Sequence, residues 1–274
     1  MVSTNQLDLW GDKLQSKLEN GTHQQRQYLK FLDGLVWRAN NNMDAVVAVC
    51  GERGMGKSSF AITSGILLRR KGINFDFENI FYGPDALKGA VTNISQSRKG
   101  AYVFDEMIDL AYSRNAMTTL NRSLAQFFTK IRKMNNIVFL CIPRFKALDP
   151  ALRNDIVHFW AEVFWKSYAQ EHKKRFALVS LFRKDKNQMT DDPWGFDNKY
   201  IYKRAFKPLD QLRIMKKMRS YVGCVNCPPL PKPIEKAYED TARDYLKTSS
   251  EDLITAFEKK KAKSKSKVVY HDNV

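Results

Sequence analysis

The chain has 274 residues, 43% of them hydrophobic, and carries 46 Lys and Arg against 29 Asp and Glu, a formal net charge of +17. That length fits one α/β domain with a modest extension, and that charge points to a polyanionic partner, nucleic acid ahead of an acidic membrane surface. No apolar stretch approaches the roughly 18 residues that span a bilayer, and Met1–Asp8 lacks a basic-then-apolar secretion signal, so the expectation is a cytoplasmic protein with no membrane span.

Residues 1–40 are polar with helical spacing, Gln24–Leu32 leading into Leu35, Val36 and Trp37. They predict an N-terminal helical extension, packed beside the first strand or serving as an oligomer contact. Ala45–Cys50 is a continuous apolar run, as expected of a buried parallel strand. It leads into Gly51-Glu52-Arg53-Gly54-Met55-Gly56-Lys57-Ser58-Ser59, which fits the phosphate-binding pattern G-x-x-x-x-G-K-[ST] at every specified position. Ser58 to Arg70 follows with Phe60, Ile62, Ile66 and Leu67 at helical spacing. Glycines let backbone N–H groups curl around phosphates, and the helix N-terminus adds partial positive charge. Lys57 would reach the β- and γ-phosphates of ATP, and the Ser58 hydroxyl would ligate Mg²⁺.

Asn74 to Tyr82 predicts another strand, and a helix is expected near residues 85–95. Lys99–Glu106 supplies a second buried strand that ends on two adjacent acids. Asp105, at the carboxyl end, would hold Mg²⁺ through water; Glu106 would orient and deprotonate the attacking water. The pair favours an ATPase that does mechanical work over a switch-type GTPase. Leu120, Leu124, Phe127, Phe128 and Ile131 predict a helix that ends in Arg132-Lys133, basic residues that either contact the phosphates or simply suit its dipole, the latter being favoured. Asn136–Ile142 predicts a third buried strand, closed by Pro143-Arg144. A further helix is expected to begin at Asp149-Pro150.

This order resembles the additional-strand P-loop ATPases, in particular the group holding HerA, FtsK, viral packaging ATPases and the zonular occludens toxin family. The resemblance covers residues 44 to about 165. It implies ATP and Mg²⁺ as cofactors, a homo-oligomer that closes as a ring, and an arginine contributed across the subunit boundary. The segment Leu148–Arg153 is similar to the one that carries such an arginine in AAA+ proteins, which implies Arg153 for that role; a plain surface arginine is the alternative. The family places Gln, Asn or Thr as a γ-phosphate sensor at the end of the third strand. This chain has Cys141, Pro143 and Arg144 there, and Arg144 is the first candidate.

Beyond residue 157, His158–Trp165, Arg175–Arg183 and Tyr200–Tyr202 predict an antiparallel continuation of the sheet. Its basic hairpin tip, His172–Arg175, either tracks a DNA backbone or is a solvated turn. Leu212–Tyr221 predicts a short basic helix, Cys227–Pro233 a stiff proline linker, and residues 234–260 a polar helix. The lysine-rich stretch Lys259–Lys267 is expected to be disordered. Cys50 and Cys141 fall in buried strands as small hydrophobes. Cys224-Val225-Asn226-Cys227 is a lone C-x-x-C, expected as loop residues, with a zinc shared between chains left open.

The expected fold is α/β: a P-loop NTPase with a mainly parallel sheet flanked by helices, an antiparallel strand extension and a helical, partly disordered C-terminal region. The expected division is 1–40 (helical extension), 41–205 (ATPase domain) and 206–274 (basic C-terminal region). The resemblance implies an ATP-hydrolysing motor on nucleic acid, for DNA packaging, transfer or translocation by a virus or mobile element. A membrane-associated phage morphogenesis ATPase and an AAA+-like loader that uses ATP as an assembly switch are the alternatives.

Overall fold

The computed structural model describes residues 3–83, 90, 93–94, 97–105, 128–129, 132–150, 152–167, 176–184, 194, 212–213, 215–218, 220–245 and 247. Two compact units divide the chain, Val2–Pro231 and the segment from Lys232 to Val274. The second holds a helix over residues 232–245, which matches the start of the expected polar helix.

In the first unit a seven-stranded mixed sheet forms from β1 (Ala45–Cys50), β2 (Ile80–Tyr82), β3 (Ala101–Asp105), β4 (Ile137–Ile142), β5 (Phe159–Ser167), β6 (Phe176–Arg183) and β7 (Tyr221–Cys227). Their spatial order is β2-β3-β4-β1-β5-β6-β7. The first five in that order run parallel; β6 and β7 run antiparallel. All six residues of β1 and of β4 are buried. Both strands are covered on two faces, which is why their sequences are unbroken apolar runs rather than alternating ones.

One strand, β4, lies between β1 and β3. Ile137 is level with Ala45 on one side and with Ala101 on the other. This shared register brings the carboxyl ends of β1, β4 and β3 to one edge of the sheet, so the loop after Cys50 and the Asp105 side chain face the same crevice.

Three stretches differ from their expected form. His158–Trp165 was expected in the antiparallel part, yet β5 pairs parallel with β1. The 3₁₀ turn Phe145–Ala147 and the π-helical turn Leu152–Ile156 carry the chain from the carboxyl edge back to the opposite edge, so β5 restarts in the direction of β1. The helical start expected at Asp149-Pro150 is present at Pro150, and the segment continues as that π turn. Asn74–Tyr82 is a strand only over Ile80–Tyr82, because the Asp76 carboxylate accepts from the Phe77 N–H at 2.9 Å and starts a 3₁₀ turn. Tyr221–Cys227, expected as helix end and loop, is the edge strand β7; its mix of Gly, Asn and Cys hides the alternation. Tyr200–Tyr202, His172–Arg175 and the Lys259–Lys267 tail lie outside the described residues. Of the two expected helices near 85–95 and 120–131, the described positions 90, 93–94 and 128–129 are helical.

Helix α3 (Lys57–Arg70) packs on one face of β1, β3 and β4. Two N-terminal helices, α1 (Thr4–Glu19) and α2 (His23–Asn40), cover it and β7. Each begins with a capping box, Ser3 with Gln6 and Thr22 with Gln25, which satisfies two first-turn donors reciprocally. Leu7, Leu14 and Leu18 of α1 are buried, and Asp8–Arg69 at 2.7 Å and Asp12–Arg70 at 2.6 Å pair it with α3. Tyr28 of α2 stacks on Phe60, and its hydroxyl shares a 2.6 Å hydrogen bond with Ser64. On the opposite face, Trp160 is sandwiched between Phe145 and Phe182, with ring centroids 4.7 and 4.2 Å away.

Gly65 is where α3 meets the fully buried ring of Phe75. A Cβ there would sit 2.5–2.6 Å from three ring atoms. Gly65→Ala gains about 1 kcal/mol of helix propensity but overpacks a fixed ring, at about 1–3 kcal/mol. Urea unfolding is expected to show a lower midpoint for Gly65→Ala than for the natural chain.

Candidate nucleotide site

The loop between β1 and α3 is built on backbone conformations that need glycine. Gly51, Gly54 and Gly56 have φ of 147°, 79° and 95°, a region that side chains disfavour. At Gly51 a Cβ would also overlap the Val163 carbonyl oxygen of β5. Gly56 caps α3 without a side-chain acceptor, and the first turn of α3 contains no acid. Its N-terminal N–H groups therefore suit an external anion.

Lys57 bends back over this loop. Its ammonium donates to the carbonyl oxygens of Gly51 and Glu52, each at 3.0 Å. Ser58, the next residue, donates its hydroxyl to Asp105 Oδ2 at 2.8 Å. Asp105 is buried. Burial first, and then this carboxylate, hold the thiol of Cys141 and the phenol of Tyr82 well above their ordinary values. An ammonium, a hydroxyl and a buried carboxylate thus converge at one end of α3. Glu106, expected to serve as the base beside Asp105, lies outside the described residues.

Arg144 is exposed and follows β4 at the same edge. The Gly51 N–H donates to the carbonyl of Pro143 at 3.3 Å, so the residue before Arg144 touches the first residue of the loop. Arg153 stands on the π turn. Its guanidinium approaches Asn154 Oδ1 at 3.4 Å and the Lys146 carbonyl at 3.5 Å, and its backbone N–H donates to Asp149. Arg132, on the 3₁₀ turn Arg132–Met134, acts electrostatically on Arg38 and Asp44, which precede β1 at the opposite edge of the sheet.

Glu162 belongs to no sequence motif of the loop or of the Asp105 strand. It lies on β5, level with Cys50 of β1 and Ser180 of β6, and its Oε2 accepts from Trp160 Nε1–H at 2.9 Å. Withdrawal from water pushes its carboxyl up to about 7; the Trp160 bond and Lys57 pull it down, and Glu52 pushes it up. One signal was available in the sequence: Phe159–Trp165 is an apolar strand interrupted by a single acid, and a carboxylate is seldom placed in a sheet interior without purpose.

The two cysteines of the C-x-x-C stand three residues apart within β7, so their sulfurs point to opposite faces of the sheet. That geometry does not converge on one metal. Burial raises their thiols to about 11 at Cys224 and about 12 at Cys227. Among the described residues there is no cluster of three or more His, Cys, Asp or Glu suited to a metal, and no helix long and apolar enough to cross a membrane.

No family model matches this chain, and no curated protein matches it. Similar solved structures include the genome-packaging NTPase B204 of Sulfolobus turreted icosahedral virus 2 in complex with ATP-gammaS (10% identity, TM-score 0.37, 51% of this chain and 92% of that one). Others are the N-terminal domain of zonular occludens toxin from Neisseria meningitidis (16%, 0.36, 55% and 87%) and a chain of the HORMA:CdnC:Trip13 complex of E. coli MS115-1 (18%, 0.41, 58% and 68%). The P-loop NTPase fold of the present chain is carried by its own strand order, with β4 between the loop strand and the Asp105 strand, and by the loop itself.

Gly51→Ala tests the close approach of loop and β5. Its Cβ meets backbone rather than a movable side chain, so the variant is expected to lose roughly 1–3 kcal/mol of stability in thermal or urea unfolding, with weakened nucleotide binding at temperatures where it remains folded.

Proposed function

We propose that this chain is an ATP-hydrolysing motor acting on nucleic acid, serving DNA packaging, transfer or translocation for a virus or mobile element. The observation that carries the reading is the Ser58–Asp105 hydrogen bond beneath a glycine loop that also positions Lys57. A hydroxyl and a carboxylate are hard oxygen donors suited to Mg²⁺. The positive-φ glycines and uncapped α3 amides suit a polyphosphate. The fit is therefore good for ATP with Mg²⁺.

The residues divide as follows. The loop from Gly51 to Ser59 wraps the phosphates with backbone N–H groups, and Lys57 exchanges its two carbonyl partners for phosphate oxygens. Ser58 directly and Asp105 through water would hold Mg²⁺, which would supply charge neutralisation on the phosphates. Glu106, following Asp105 in sequence, takes a proton from the attacking water. Arg144, beside the loop's first residue, senses the terminal phosphate. Arg153 is offered to the site of a neighbouring copy in a ring, where it offsets charge on the transferred group. The net charge of +17 supports a nucleic-acid partner, and the host cytoplasm is the matching compartment.

ATP turnover titrated with single- and double-stranded DNA tests this. The natural chain is expected to hydrolyse ATP, with DNA stimulation that weakens as salt rises. Lys57→Ala should lose at least roughly tenfold in nucleotide affinity. Glu106→Gln should keep binding and lose on the order of 10²–10⁴ in turnover. Normal hydrolysis by Glu106→Gln removes that residue from its assigned role. Slow turnover that ignores DNA favours an ATP-dependent loader.

A further inference from the structure

We propose that Glu162 is a positioning residue of the phosphate loop: its charge competes with a bound polyphosphate for Lys57, so that binding of MgATP is accompanied by proton uptake at Glu162. The inference rests on the nucleotide reading of the loop.

The geometry begins with strand register. Glu162 is the β5 partner of Cys50, the residue just before the loop. Its neighbour Val163 fills the space where Gly51 would carry a Cβ. The loop therefore leaves the sheet directly against the Glu162 strand, and it cannot move away without leaving Val163. The Trp160 indole N–H holds the carboxylate on the loop side of the aromatic cluster. Lys57, whose ammonium bonds the Gly51 carbonyl, is thereby brought within electrostatic reach of Glu162.

Among the described residues, groups from the loop and from three strands face Glu162. From the loop come the Lys57 cation and the Glu52 anion; from β1 the buried Cys50 thiol, which Glu162 helps to keep protonated; from its own strand Trp160; and from β6 the neutral Ser180. Only one cation stands in that set, and it is the one the phosphates require. While Glu162 is ionised it attracts the Lys57 ammonium and repels an incoming polyphosphate. When it is protonated, Lys57 is left to the phosphates and the repulsion disappears. Binding of an anion must then favour the protonated form, since a like charge nearby disfavours ionisation. Burial pushes the carboxyl up to about 7, so this exchange falls within the working pH range.

The sign for folding is the same. A carboxyl held above its unfolded value contributes stability that is complete below the unfolded value and is lost as pH rises through about 7. Glu162→Gln, which keeps the acceptor for Trp160, should therefore melt no lower than the natural chain at pH 8.

The test is calorimetric titration of the full chain with MgATP at pH 7.5 in two buffers of different ionisation heat, and binding measured from pH 6.5 to 8.5. The natural chain should take up a fraction of a proton on binding, and its affinity should fall several-fold as pH rises, at most about tenfold per pH unit for one site. Glu162→Gln should bind with a flatter profile and less proton uptake, and Glu162→Asp should restore the linkage. Zero proton uptake by the natural chain overturns the inference whatever the variants do. Equal pH profiles for the natural chain and Glu162→Gln overturn it too, while leaving the nucleotide site intact. Absence of MgATP binding by the natural chain overturns the nucleotide reading and this inference together.

Discussion

The hydrogen bond from Ser58 to Asp105 joins two segments that are 47 positions apart in the chain, and its existence depends on the parallel register of three strands. Asp105 ends β3, Ser58 opens α3 behind β1, and β4 separates the two strands. Were β3 displaced by one residue along β4, the pleat would turn Asp105 to the other face of the sheet. The site would then keep its loop and lose its carboxylate. All residues of β1, β3 and β4 are buried, so the strands that carry the site are also the strands of the core.

Helix α3 is held from both sides for the same reason. Its inner face packs on the sheet, and its outer face carries Phe60 and Ser64 against Tyr28, and Arg69 and Arg70 against Asp8 and Asp12. The ion pairs are partly exposed and each contributes little by itself. The buried leucines of α1 and the stacked Tyr28 contribute more. What they secure together is the N-terminus of α3, where a shift of one ångström would misplace Lys57 and Ser58. The N-terminal helices are therefore part of the support of the loop.

Much of this was legible in the sequence. The loop pattern, the apolar runs of β1, β3 and β4 and the acid at the end of β3 each have a local signature, and the structure places Lys57, Ser58 and Asp105 together as those signatures imply. Less legible were features set by long-range return of the chain. The parallel direction of β5 depends on two tight turns between Phe145 and Ile156 that have no distinct composition. Strand β7 is a polar edge, where periodicity fades. Glu162 is invisible to a motif because its significance arises only when β5 lies beside β1. Likewise, the opposed sulfurs of Cys224 and Cys227 follow from strand pleat, which a C-x-x-C spacing does not disclose.

The electrostatics of the site are economical. Lys57 lies within electrostatic reach of Glu162 and of the Cys141 thiol that Asp105 also acts on, so in the proposed site its charge is the pivot on which phosphate recognition turns. The direct measurement of that claim is equilibrium binding of a fluorescent ATP analogue to the natural chain, with Mg²⁺ and with Mg²⁺ removed by chelator, beside Asp105→Asn. Saturable binding that Mg²⁺ strengthens in the natural chain but not in Asp105→Asn is the result the account predicts. Failure of the folded natural chain to bind the analogue at millimolar concentration, with or without Mg²⁺, would contradict it.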